Sequence, residues 1–184
     1  MSRRTLVDPY RAAIQQFNRL GVRYVVVGMA GINYYGTSPA ETFVTMDYDV
    51  FVDPTRANIE RALRSLQRLG FALGTTAGPF RLDQLPVILR ARTALIASSP
   101  EGFLVELLLA VSGYTFSEMA EDAVTITVRG VPVRVGTLRK LLRSKRLAGR
   151  LKDRQFLRRY ASLLEQTASR RTATRRRPPS SHRP

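Results

Sequence analysis

Asp47 and Asp49 stand on either side of Tyr48 at the start of the apolar run "DYDVFVD". Side chains two residues apart on a strand point to the same side, so this spacing places two carboxylates together. Two like charges repel unless a cation or several hydrogen-bond donors lie between them. Because carboxylate oxygens suit Mg²⁺, the pair predicts a divalent-cation site, with an ordinary surface turn as the alternative.

A third acid, Glu106, interrupts a later apolar run, "FLVELLLAV". Two carboxylates on one strand and a third on a neighbouring strand are what two divalent cations require for in-line displacement at phosphorus. The alternative is an edge strand on which Glu106 faces solvent.

Two further segments have features that suit phosphate binding. The strand "VVVGM" ends at Gly28 and gives way to a short helix, whose free N–H groups would form a phosphate seat. The basic segment "SKRLAGRLKD" places Lys145, Arg150, Lys152 and Asp153 on or near helix ends. The alternative for Gly28 is a plain turn, and the alternative for the basic segment is a solvated junction between two helices.

Composition excludes several other chemistries. The chain has no cysteine, and its single histidine is His182 near the C-terminus. A disulfide, a thiolate nucleophile, a histidine metal site and a Ser-His-Asp triad are therefore excluded, and acid–base or metal chemistry must use carboxylates. The lack of cysteine fits a cytoplasmic location, and we expect no secretory signal and no membrane partner because no apolar run is long enough.

The charge balance points to polyanions. Thirty Lys and Arg face 14 Asp and Glu, a net charge of +16. Such a field favours nucleic acid, nucleotides or an anionic surface, although an Arg-rich genome would also produce it.

Periodicity and turn residues predict an α+β fold: a mixed β-sheet with helices packed on one face and further helices at the C-terminus. We expect one domain over residues 1–168 and a disordered Arg/Pro-rich tail over 169–184, which holds six arginines and no acid. The predicted elements, in order, are a helix from Pro9 to about Leu20, a strand in "RYVVVGM", a short helix in "AGINYYG", a strand in "YDVFVD", a helix that begins at Asp53-Pro54 and ends at Gly70, strands in "RTALIAS" and "FLVELLLAV", a hairpin turning at Arg129-Gly130, a helix from Thr137, and a last helix from about Lys152 to Gln166.

Taken together, "VVVGMAGINYYG", "TMDYDVFVDP", "FLVELLLAVSGYTF" and "RSKRLAGRLKD" resemble the nucleotidyltransferases of the DNA polymerase β superfamily, in particular the minimal group that includes the abortive-infection type IV toxin-like enzymes. The resemblance extends from about Tyr10 to Leu164. Met29 stands where that family usually has a second Gly or Ser, and Glu106 stands where it usually has Asp.

The resemblance implies a role for each matching residue. Asp47, Asp49 and Glu106 would be catalytic and would bind Mg²⁺ or Mn²⁺, with Glu106 activating the acceptor hydroxyl. The residues that would contact the NTP are Gly28, Met29, Lys145, Arg150, Lys152 and Asp153. Tyr34 and Tyr35 would either offer a base a stacking surface or belong to the core.

Two functions are then open. The first is a Mg²⁺-dependent, toxin-like nucleotidyltransferase that moves an NMP from an NTP to a hydroxyl acceptor. The net charge favours RNA, such as a tRNA, as that acceptor, and an antitoxin protein would be a further partner. The second is a non-catalytic nucleic-acid-binding module that keeps the fold. Met29 and Glu106 favour the second, whereas Asp47, Asp49 and the basic segment favour the first.

Overall fold

Short β-branched and aromatic runs form one mixed sheet of eight strands in the computed structural model, which describes residues 9–36, 43, 45 and 47–175. The strands are β1 (Tyr24–Val26), β2 (Asp47–Val52), β3 (Ala72–Thr75), β4 (Gly78–Pro79), β5 (Leu95–Ser98), β6 (Leu104–Leu108), β7 (Val124–Val128) and β8 (Val131–Val135). They lie in the order β4-β3-β5-β6-β2-β1-β8-β7, so β6 and β2 occupy the centre.

The two central strands run parallel to each other, and this pairing positions the acidic residues. Asp47 lies opposite Leu104, and Asp49 lies opposite Glu106. The other neighbours of β2 and β6, which are β1 and β5, are antiparallel to them. Residues paired in a sheet project to the same face, so Asp49 and Glu106 share a face.

Helices connect the strands and cover the sheet. The helices are α1 (Pro9–Arg19), α2 (Gly28–Asn33), α3 (Arg56–Arg68), α4 (Leu85–Ala91), α5 (Phe116–Glu121), α6 (Leu138–Ala148) and α7 (Leu151–Arg175). Helices α1 and α3 pack against each other and bury Phe17, Ile59 and Leu66 in the core. At the other end of the chain α6 packs against α7, and α2 packs against α6. These contacts place α2, from the N-terminal half of the chain, beside the C-terminal helices.

The structure confirms the α+β class and shows elements that the periodicity did not predict. Strands β3 and β4, a 3₁₀ turn at Leu82–Gln84, α4 and α5 are all additional. Helix α3 begins at Arg56 rather than at Asp53-Pro54, with Thr55 as its N-terminal capping residue. The Asp53 carboxylate instead forms an ion pair with Arg23 and accepts a 3.3 Å hydrogen bond from the Thr55 amide.

The last helix is longer than the sequence predicts. Helix α7 continues through Arg175, past residue 169, where the tail was expected to begin. The rest of that expected tail, residues 176–184, lies outside the described residues.

None of the helices in the described part of the chain is both long enough and apolar enough to cross a bilayer.

Candidate active site

The two aspartates at the start of β2 lie on the same face of the strand. Asp47 and Asp49 are partly buried, whereas Tyr48 and Val50 are buried on the opposite face. Alternation along the strand therefore separates the carboxylates from the apolar core, as the spacing predicts. The Thr45 hydroxyl donates a 3.0 Å hydrogen bond to the carbonyl of Asp47, the first residue of the strand.

Glu106 adds its carboxyl group from the adjacent central strand. It lies directly opposite Asp49 in the parallel pair and opposite Ile96 on the other side of β6. The strand is therefore not an edge strand, and the edge alternative for Glu106 is wrong. Three carboxyl groups from two neighbouring strands lie on one face.

The crowding of these groups changes the protonation of Asp49. Burial, followed by the negative charges of Glu106 and Asp47, raises the pKa of Asp49 to about 7. The positive charge of Lys145 acts in the opposite direction, and a hydrogen bond with Glu106 raises the pKa further. The site therefore holds a negative potential that one lysine only partly offsets.

Gly28 forms a backbone cradle against Asp49. Its φ is +60°, and a Cβ atom added there would lie 1.8 Å from Oδ2 of Asp49. The preceding residue, Val27, donates its amide to the carbonyl of Asp49 at 3.0 Å. Only glycine allows the backbone to approach the carboxylate this closely.

Substitution of Gly28 by Ala should therefore disable the site. The change should cost about 1–2 kcal/mol of unfolding free energy for the left-handed backbone, and it should also displace the Asp49 carboxylate. The matched control is Gly21→Ala, because Gly21 has a φ of +63° and no atom within 4 Å of an added Cβ. Thermal denaturation should show a loss for both variants, larger for Gly28→Ala because its methyl group also meets Asp49, and only Gly28→Ala should lose the function of this cleft. Equal function in both would contradict the role of the cradle.

Basic residues reach the cleft from the elbow between α6 and α7. Helix α6 ends at Ala148, and Gly149, with a φ of +62°, caps it before α7 begins at Leu151. Across this elbow, Nζ of Lys145 donates a 2.7 Å hydrogen bond to Oδ1 of Asp153, and both side chains are largely buried. Nζ of Lys145 also lies 5.6 Å from the centre of the Phe156 ring. The pair holds the ammonium group of Lys145 in a fixed place beside the carboxylates.

An aromatic contact attaches α7 to the segment that precedes β2. The Phe43 ring lies 4.9 Å from Phe156 and 4.6 Å from Tyr160. The side chain of Asn33 fixes Phe43 by accepting its amide hydrogen bond at 2.8 Å and donating to its carbonyl at 2.7 Å. Helix α7 is therefore linked through Phe43 to Asn33 of α2.

The structure brings every site residue predicted from the sequence into one cleft of about 380 Å³. They are Gly28, Met29, Asp47, Asp49, Glu106, Lys145, Arg150, Lys152 and Asp153. Tyr34 and Tyr35 do not line this cleft. The hydroxyl of Tyr34 lies 2.6 Å from that of Tyr48, and the hydroxyl of Tyr35 donates to the carbonyl of Gly136 at 2.8 Å.

Three hydroxyl side chains of the cleft were not predicted from the sequence: Thr45, Ser112 and Ser144. Thr45 precedes Asp47 by two residues and Ser144 precedes Lys145, so both lie next to residues that were predicted. Ser112 follows β6 in a turn, and no spacing pattern distinguishes it from other serines.

The donor set suits a hard divalent cation such as Mg²⁺ or Mn²⁺. Asp47, Asp49 and Glu106 offer only carboxylate oxygens, and a cation would offset the charges of Glu106 and Asp47, which together with burial raise the pKa of Asp49. Over residues 9–36, 43, 45 and 47–175, however, no three acidic or histidine side chains already form a group able to hold a metal ion. The carboxylates would therefore have to reorient, with Asp47 and Asp49 as the ligands that share a strand face.

Comparison with known proteins does not identify a family. No protein-family model matches the chain, and no curated protein matches its sequence.

Proposed function

We propose that the protein is a nucleotidyltransferase of the DNA polymerase β superfamily that transfers an NMP from an NTP to a hydroxyl group, with RNA as the acceptor. One observation carries the proposal: Asp49 lies in register with Glu106 on the central parallel strands, against the Gly28 backbone and within the electrostatic reach of Lys145. Carboxylates, a close backbone approach and a fixed cation in one cleft suit the transfer of a charged phosphoryl group.

Each residue then has a chemical role. The acceptor oxygen forms a bond to the α-phosphorus of the NTP, the bond to the departing pyrophosphate breaks, and Glu106 accepts the proton of the acceptor hydroxyl. Asp47 and Asp49 would hold Mg²⁺ or Mn²⁺, which supplies Lewis-acid neutralisation of the phosphate charge when it is bound. Lys145, oriented by Asp153, would face the phosphates.

The direct test supplies each of the four labelled NTPs, with Mg²⁺ or Mn²⁺, to the full chain together with total RNA. We expect label to move from one NTP to RNA and Asp49→Asn to abolish the transfer. The absence of transfer from every NTP to RNA would contradict the proposal.

A second candidate, a nucleic-acid-binding module without catalysis, rests on Met29 and Glu106, the two departures from the family pattern. This module would bind RNA through the same basic surface. It predicts binding that is indifferent to Asp49→Asn, together with no transfer of label, and the labelling experiment separates it from the enzyme.

Both candidates predict a salt-dependent contact at the cleft. Arg150 and Lys152 are exposed at its margin, and no described side chain forms an ion pair with either. Neutralising both by glutamine should make the slope of log K against log salt less negative by roughly 1.4 for single-stranded RNA, because each phosphate contact contributes about −0.7.

The matched control removes the same charge elsewhere. Arg64 and Arg68 are exposed on α3 and do not line the cleft. Arg64→Gln with Arg68→Gln should change the slope much less. Equal changes in the two double variants would mean that RNA contacts the whole basic surface without preference for the cleft.

A further inference from the structure

A second cavity, of about 420 Å³, lies on the other side of β2 from the carboxylates. Helices α1 and α2, the strand β2 and the β7–β8 hairpin contribute to its walls. Three of the seven tyrosines of the chain line it, Tyr10, Tyr34 and Tyr48, together with Phe43. The volume lies within the range of about 300–1,000 Å³ that is typical of small-molecule sites.

The aromatic wall is held in place by its own contacts. Tyr10 and Tyr48 stack at 4.8 Å with their planes 12° apart, and the hydroxyls of Tyr34 and Tyr48 lie 2.6 Å from each other. Phe43 is fixed by the two hydrogen bonds to Asn33. A ligand would therefore meet a largely preformed aromatic surface, which reduces the entropy lost on binding.

The cavity adjoins the candidate active site at the start of β2. Thr45 lines both the cavity and the carboxylate cleft. Tyr48 lies between Asp47 and Asp49 in sequence and points to the opposite face of the strand. A polymeric ligand that passes around the start of β2 would contact both sites.

The lining indicates the chemical class of the ligand. Aromatic side chains bind nucleobases by stacking, with little dependence on the identity of the base. Arg11 also lines the cavity and adds a positive charge to its wall. A planar base joined to a phosphate fits this combination better than an uncharged apolar molecule does.

We propose that this aromatic cavity binds a nucleobase at the 3′ end of the acceptor RNA, so that the strand enters beside the carboxylates. The inference rests on the proposed function for the identity of the ligand as an acceptor. The cavity has its own wall residues, however, and binding of a base there needs neither a metal ion nor an NTP.

The test measures the affinity of the full chain for two fluorescently labelled hexauridylates at fixed salt and without divalent ions. One is intact, and the other has an abasic residue at its 3′ end. Both carry the same phosphates, so the difference between them reports the base alone. We expect the abasic RNA to bind about tenfold more weakly, because one stacked base is lost.

A cavity-filling variant then locates the base. Val128 lines the cavity, and Val128→Trp should fill it and bring the ratio of the two affinities close to one. Ile126→Trp is the control, because Ile126 lies on the same face of β7 outside the cavity, and it should keep the tenfold ratio. If Val128→Trp does not fold, as judged by circular dichroism, Tyr34→Leu tests the same wall.

Each outcome decides the inference separately from the function. Equal affinities of the wild type for the two RNAs, or an unchanged ratio in a folded cavity variant, would overturn it even if label is transferred from NTP. A base-dependent affinity that the cavity variant abolishes would support a base site even if no transfer occurs, and RNA would then be the ligand of a binding module.

Discussion

Replacing Glu106 by Gln is expected to reduce the rate of NMP transfer by about 10²-fold or more, with little change in NTP affinity. The amide keeps the size and polarity of the side chain but cannot accept the proton of the acceptor hydroxyl. The measurement is single-turnover transfer of label from NTP to RNA at saturating NTP. A comparable loss of NTP affinity would mean that Glu106 acts mainly in binding.

The conservative variant Glu106→Asp tests the geometry of the same carboxylate. Glu106 is one methylene longer than the Asp that the nucleotidyltransferase family usually has at this place, so shortening it moves the carboxylate by about 1 Å or more. A faster Glu106→Asp variant would show that the native site is a slowed form of the family geometry. Equal rates for Glu, Gln and Asp would assign Glu106 a structural role and contradict its function as the base.

The positions of these groups in the fold depend on a contact that local sequence patterns do not contain. Alternation in "DYDVFVD" predicts that Asp47 and Asp49 share a face, and the structure shows this. The pairing of Asp49 with Glu106 joins segments more than fifty residues apart. Periodicity predicts that both segments are strands, but it does not determine their order in the sheet or their register. For that reason the sequence alone could not exclude an edge position for Glu106.

Other differences have local physical causes. Helix α5 could have been predicted, because the Thr115 and Glu118 pattern forms a capping box in which the Thr115 amide donates to Glu118 at 2.7 Å. The start of α3 could not have been predicted, because the ion pair between Asp53 and Arg23 depends on a tertiary contact. The aromatic cavity could not be predicted from the sequence either, since its walls come from four separate segments of the chain.

A pH-dependent loss of stability is expected from Asp49. Its pKa is about 7 in the folded protein and 3.8 in the unfolded reference, so between these values the folded state keeps a proton that the unfolded state has released. The free energy of unfolding should therefore fall as the pH rises from about 4 to 7 and then level off. The difference between these two pKa values sets a ceiling of about 4 kcal/mol on the change in unfolding free energy, which solvent screening of this partly exposed group reduces.

Asp49→Asn removes the titrating group and should therefore be more stable than the wild type at pH 8 and similar to it at pH 4. Urea unfolding at a series of pH values, without divalent ions, measures the difference. The control is Asp83→Asn, since Asp83 is an exposed carboxylate paired with the exposed Arg81 and should change stability little at either pH. A wild type and an Asp49→Asn variant that keep the same difference from pH 4 to pH 8 would contradict the raised pKa.

The same variant connects this stability to the cation. Under the proposed function, Mg²⁺ or Mn²⁺ with NTP would bind the folded state and favour ionised Asp49, so at pH 8 it should raise the melting temperature of the wild type. Asp49→Asn should lose that increase while keeping its higher stability without the cation. An undiminished response in the variant would remove Asp49 from the set of ligands, and the raised pKa of Asp49 would then reflect only its burial and the neighbouring charges of Glu106 and Asp47.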